Sequence, residues 1–198
     1  LVSLLLSGAA YAQNTFNRVA CGSAVTIHIK QGDSCTYTYT ESSKNEASGK
    51  LIFEIYNNTL HIEGDAREAE AFITLKELRG LSISGVTKVK MDEVFRTTDV
   101  RLEFNGASRG IIALDAQKLD LETSGAAQVS LSGDYGTAQI VSSGASKVLT
   151  QNSRFNTCDV QTSGAAICVI DSVRENLKAT ATGASKIYIK SVPEVYLS

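Results

Sequence analysis

The sequence contains no tryptophan, one proline, one methionine and two histidines among 198 residues. Lack of Trp, and few aromatics beyond Phe104, leave little material for a sugar-stacking cleft. His28 and His61 are the only imidazoles, and none of the four cysteines shows C-x-x-C spacing, so a zinc site is not expected. Calcium-binding nonapeptide repeats and cofactor motifs are absent; neither a metal nor a cofactor is expected. No excess of basic charge exists either: 19 Lys and Arg face 21 Asp and Glu, a net charge of -2, which excludes a general nucleic-acid binder.

No stretch is apolar enough to cross a membrane. The short run Leu1–Leu6 leads to Ala10-Tyr11-Ala12, which fits the A-x-A rule for signal peptidase. Residues 1–12 therefore read as the remnant of a secretory leader, with cleavage before Gln13 and an exported product without a transmembrane segment. That product is destined for the periplasm, the outer-membrane surface or secretion. About 185 residues remain, enough for one sizeable core. Cys21, Cys35, Cys158 and Cys168 allow three pairings that spacing cannot separate, and free, buried thiols are weighted slightly above disulfides.

What is abundant is a phrase. "LETSGAAQVSL", "IVSSGASKVLT" and "VQTSGAAICVI" are near copies, and their glycines fall in one series: Gly85, Gly106, Gly125, Gly144, Gly164 and Gly183, 19 to 21 residues apart. Around each glycine, apolar and polar residues alternate: Leu119, Leu121, Val129 and Leu131 against Asp120, Glu122 and Ser130. That is the period of a half-buried strand. Four places after the glycine stand Val89, Gly110, Val129, Val148, Cys168 and Ile187, a column broken only by Gly110.

One strand–corner–strand unit cannot bury its apolar side alone, but stacked units can. The corner wants a residue that tolerates positive φ and carries no Cβ toward the coil above. A propeller blade needs about twice this period, and the later copies lack the leucine-rich-repeat frame. The expected fold is all-β: a right-handed parallel β-solenoid with 19–21 residues per coil. Residues 81–198 form its regular part. Residues 13–80 form a less regular start of the same continuous domain, with strands in "VTIHIK", "CTYTYT", "KLIFEIYN" and "TLHIEGD". "AREAEAFITLKELRG" has helix-like composition, but its alternation argues for a strand from about Ala71.

The order of these phrases, "FNRVACGSAVTIHIKQGD", "LIFEIYNNTLHIEGD" and then repeated S-G-A-S/A, resembles the head GIN domain family from about Phe16 onward. The resemblance implies a β-helix-like fold, an extracytoplasmic location and an adhesin-like role. It implies no catalytic residues.

Sites that chemistry would use are few. "GASRG" (Gly106–Gly110) matches the G-x-S-x-G elbow with Ser108 as nucleophile, but a strand-forming "IIAL" follows where the elbow requires a helix. Each histidine sits in an alternating strand, His28 between Ile27 and Ile29 and His61 between Leu60 and Ile62, and so points away from the core. Asp115 and Asp134 share one phase of the repeat, and Asp92 and Asp171 another; a polysaccharide hydrolase would need two such acids across one bond. Tyr37, Tyr39, Phe53 and Tyr56 read as core or cross-strand partners.

The remaining feature is a column. Three places after the glycine stand Lys88, Arg109, Gln128, Lys147, Ile167 and Lys186, and from Arg109 charged and uncharged coils alternate. Two places after it, Thr87, Ser108, Ser146 and Ser185 read as hydroxyls beside these cations. The expectation is an exported, non-enzymatic binding module that lays a surface polysaccharide or other acidic glycan along this column. The rivals are a polysaccharide-degrading enzyme on the same scaffold and a purely structural or assembly role. Open solenoid ends also offer a route to a homo-oligomer.

Overall fold

The computed structural model describes residues 8–10, 15–40, 50–64 and 69–191. Most of the leader-like stretch, and the segment after Ser191 at the C-terminal edge, lie outside the described residues. Among the described residues there is no helix. Fifteen strands form one sheet. In chain order they are β1 (Gly8–Ala10), β2 (Arg18–Cys21), β3 (Val25–Gln31), β4 (Thr36–Thr40), β5 (Ile52–Tyr56), β6 (Thr59–Glu63), β7 (Ala69–Leu75) and β8 (Gly80–Ile83). Then come β9 (Lys88–Lys90), β10 (Phe95–Phe104), β11 (Arg109–Thr123), β12 (Gln128–Ser142), β13 (Lys147–Thr162), β14 (Ile167–Ala181) and β15 (Lys186–Ser191).

From β8 onward the chain is a parallel β-solenoid. Each coil has a limb after its corner glycine and a limb before the next one. The limb after the glycine pairs β9 with β11, β11 with β12, and so on to β15. The limb before it pairs β8, β10, β11, β12, β13 and β14 in succession. Inward residues follow the alternation in the sequence: Leu119, Leu121, Val129 and Leu131 are all at most 2 % exposed. The strand over "AEAFITL" is β7, which begins two residues earlier than its alternation suggests.

The irregular first part belongs to the same stack but grows the other way. The coil of β2 and β3 pairs with β8 and β9 on one side, and with β6 and β7 on the other. The chain thus lays down one coil, adds β4 to β7 on its outer side, and returns to build every later coil on the opposite side. β4 runs antiparallel to β7 and β5 antiparallel to β6, which ends the parallel series there. Phe53 stacks between Tyr37 and Tyr39 across these strands, both ring pairs at 4.9 Å, and Tyr56 stacks on His61.

The corner glycines adopt the conformation their role requires. All six have φ between 67° and 72°. A Cβ added to Gly125 would sit 2.8 Å from the Gly106 carbonyl oxygen, and one on Gly144 would sit 2.8 Å from that of Gly125. Gly22 lies beneath Gly85 in the same column and begins the series one coil earlier.

Gly110 breaks the apolar column for a packing reason. The ring of Phe104 occupies that space: a Cβ on Gly110 would lie 2.7 Å from its Cζ. The equivalent of Phe104 in later coils is Thr123, Ser142 or Thr162, and the equivalent of Gly110 is then Val129, Val148 or Cys168. Large and small residues exchange sides of the corner while the volume is kept.

All four cysteines are free thiols, with Cys21, Cys158 and Cys168 buried in the core. Burial pushes the thiols of Cys158 and Cys168 up to about 12, so at neutral pH they are inert, uncharged core groups.

Gly125→Val forces a β-branched residue into a left-handed corner against the neighbouring backbone. A loss on the order of 1–3 kcal/mol is expected. Equilibrium urea melts check it, and an unchanged midpoint would contradict the stacked-corner geometry.

Candidate functional site: a cationic column on one limb

The limb after each glycine turns its odd positions outward. Pairing register places Lys88, Arg109, Gln128, Lys147, Ile167 and Lys186 in one row across six successive strands. Lys88, Arg109, Lys147 and Lys186 are all exposed, as is Gln128, and Ile167 is half-buried. The next outward row is Lys90, Ile111, Ser130, Leu149, Val169 and Tyr188, apolar beyond Lys90 except for one serine. Ile111 is 58 % exposed and Tyr188 52 %.

The four cations share a second property. Among the described residues none of them makes an ion pair; on the regular coils they share this with Lys90 and Arg174, whereas Arg96, Arg101, Lys118, Arg154, Lys178 and Lys190 each have a carboxylate oxygen within 3.5 Å. Lys88 and Arg109 are even direct cross-strand neighbours. Like charges placed so are unfavourable unless something else compensates them.

The hydroxyls expected beside these cations are not on the surface. Thr87, Ser108 and Ser146 are at most 1 % exposed, and Ser185 is partly buried. Adjacent strand residues face opposite sides of the sheet, so a position next to an outward lysine must turn inward. Inside, these hydroxyls satisfy one another and the corner. Thr123, Ser142 and Ser146 are mutually linked at 2.8 to 3.2 Å, and Ser146 donates to the Ser143 carbonyl at 2.7 Å. Ser185 repeats this bond to the Thr182 carbonyl, and Thr87 to that of Ser84. Ser108 has no partner for its buried hydroxyl. With a strand after it and the side chain sealed inside the coil, it is not a nucleophile elbow.

The acids are placed apart from any cleft. Asp134 receives a bidentate contact from Arg154 at 2.5 Å, and its backbone N–H donates to Asp115, which pairs with Arg96 at 3.5 Å. The Arg154 guanidinium holds the Asp134 carboxyl below its usual range. Lys190, and then the Asn152 N–H, do the same for Asp171. A general acid needs the opposite shift. Asp92 lies 3.9 Å from His28, several coils from Asp171, so these two cannot flank one bond. His28 stacks on Phe72 at 4.8 Å and lies 3.8 Å from Glu70; its strand neighbours Ile27 and Ile29 are buried.

Among the described residues, the all-β parallel solenoid carries a solvent-facing charged row, and Asp92, Asp115, Asp134 and Asp171 are each engaged with a cation, an imidazole or a backbone N–H. The chain belongs to the head GIN domain family, described as "putative auto-transporter adhesin", whose model matches residues 15–193. No curated protein matches it. Its fold is similar to the crystal structure of a putative adhesin from Bacteroides fragilis, with 19 % identity, 95 % of this chain and 98 % of that chain covered, and a TM-score of 0.79. It is also similar to a putative adhesin from Parabacteroides distasonis, with 14 % identity, 97 % of each chain covered and a TM-score of 0.68. A "putative lipid binding protein" of the same organism shares the fold at 10 % identity, 94 % and 97 % coverage and a TM-score of 0.64.

Two outcomes follow from the site's surroundings. Ser146→Ala should destabilise by about 1–3 kcal/mol because it strips buried partners of a bond, whereas Ser108→Ala should be neutral or stabilising. Urea melts of the two variants, read side by side, check this. For Asp134 the folded pKa lies below the unfolded one. The stabilisation is therefore present above the unfolded value, near 4, and is lost as pH falls through the folded value. Asp134→Asn should lower stability slightly at neutral pH and not at all once both states are protonated; melts across that range decide it.

Proposed function

We propose that the protein is an exported, non-enzymatic adhesin-like module that binds a linear acidic glycan along the row from Lys88 to Lys186. The observation that carries this reading is that four exposed cations stand in one register row with no carboxylate between Lys88 and Lys186, the row reaching Glu70 only beyond Thr26 on the other side of Lys88, while the cations elsewhere on the regular coils are mostly paired. A row one residue wide fits a linear chain better than a planar membrane. The family's description as an auto-transporter adhesin supports export to the cell surface.

Each charge-assisted contact contributes about 1.5–3 kcal/mol where the ligand excludes water, and less where both groups stay solvated. Binding should weaken as the Debye length shrinks from about 10 Å at 0.1 M salt to about 3 Å at 1 M.

The test compares wild type with a Lys88→Gln, Arg109→Gln, Lys147→Gln, Lys186→Gln variant on an acidic polysaccharide panel and on vesicles containing an anionic lipid. Loss of salt-sensitive glycan binding in the variant is expected. Retained binding in the variant, or binding to vesicles alone, would overturn the reading.

A further inference from the structure

We infer that this row is matched to a polysaccharide with one acid group for every two sugar units, presented along the edge that meets the sheet. The inference rests on the proposed glycan-binding role and adds the charge period of the ligand.

Successive strands of a sheet are about 4.8 Å apart, so equivalent residues on every second coil lie about 10 Å apart. Arg109, Lys147 and Lys186 have that spacing, because Gln128 and Ile167 fill the coils between them. A pyranose unit in an extended glycan chain advances by a distance close to one coil. A chain lying along the row would therefore set one sugar against each coil, with acids against Arg109, Lys147 and Lys186 and neutral sugars against the two coils between.

The intervening residues suit neutral sugars. Gln128 is exposed and offers an amide that both donates and accepts, which matches a hydroxyl or an N-acetyl group. Ile167 is half-buried beside Val169, and Leu149 lies next along that row. It presents an apolar contact to the C–H face of a sugar. A carboxylate set against Ile167 would lose water without gaining a partner, which is unfavourable. The row therefore selects in two ways, by cations where acids are wanted and by an apolar residue where they are not. Only the start departs from the pattern: Lys88 sits directly beside Arg109. That pair meets the end of the chain or two neighbouring acids.

The experiment measures binding of full-length protein to hyaluronan oligosaccharides, in which a uronate alternates with an N-acetylhexosamine, and to polygalacturonate oligosaccharides of equal length, which carry an acid on every sugar. Wild type should prefer hyaluronan by about tenfold, the cost expected from one carboxylate that loses water against Ile167 without gaining a partner. A Gln128→Lys, Ile167→Lys variant supplies a cation on every coil and should reverse the order. Ile167→Thr, a milder change at this half-buried outward position, should narrow the preference without abolishing binding. Equal or tighter binding of polygalacturonate by wild type would overturn the period match while leaving the cationic track intact. Equal strengthening of both ligands in the double lysine variant would do the same. Binding of neither ligand by wild type would remove the period match and the glycan reading together.

Discussion

The structure depends on a steric limit at the corner. Each corner glycine approaches the backbone of the glycine one coil below so closely that an added Cβ would fall about 3 Å from its carbonyl oxygen or amide nitrogen. From Gly106 onward the residue after each corner glycine donates its N–H to that same carbonyl, as Ala126 does to Gly106 and Ala145 to Gly125. The two facts lock register. A coil cannot slip by one residue without placing a side chain where only glycine fits, and a one-residue slip would also turn the buried face outward. The cationic row is a consequence of this. Lys88 and Arg109 become neighbours only because every corner is pinned to the one beneath it.

With register fixed, the interior has little freedom except in how each corner is filled. The corners at Gly125, Gly144 and Gly164 place a small hydroxyl residue two before the glycine and Val129, Val148 or Cys168 four after it. The coil of Phe104 and Gly110 inverts the sizes, and Ser108 is left with a buried hydroxyl that nothing receives. That coil is where the hydroxyl network between Thr87 and Thr123 is interrupted. A polar network inside a low-dielectric corner is favourable only where it is complete. The cost of Phe104 is thus displaced onto Ser108, which is sealed on the inner side of the sheet opposite the outward Arg109.

The sequence was most legible where the physics was periodic. The six glycines, the alternating limbs and the outward row of Lys88, Arg109, Lys147 and Lys186 could all be read by counting. Thr87, Ser108, Ser146 and Ser185 are neighbours of the cations along the chain, but strand alternation sends them inside, and the apolar column two places further on carries that signal. Gly110 looked like a defect because its compensation lies six residues earlier, at Phe104, and only a comparison of volumes across the corner would have found it. The two-way growth from β2 and β3 was invisible. A coil order that differs from chain order leaves no periodic trace, and Gly22 is separated from Gly85 by the inserted strands β4 to β7.

The distribution of charge separates two uses of the same scaffold. On the limb before each glycine, and at the bend between limbs, carboxylates and cations meet in pairs: Arg101 with Glu103 and Glu122, Lys178 with Asp159, Arg154 with Asp134. Such exposed pairs contribute little stability each, but they cancel charge locally and leave a surface with no strong field. On the limb after the glycine the cancellation is missing along one row. A solenoid needs charged outer faces to remain soluble and to avoid pairing with other sheets, and paired charges would serve that need without placing Lys88 against Arg109. Solubility therefore explains why the row is charged but not why it is unpaired. The anionic ligand proposed above would account for both.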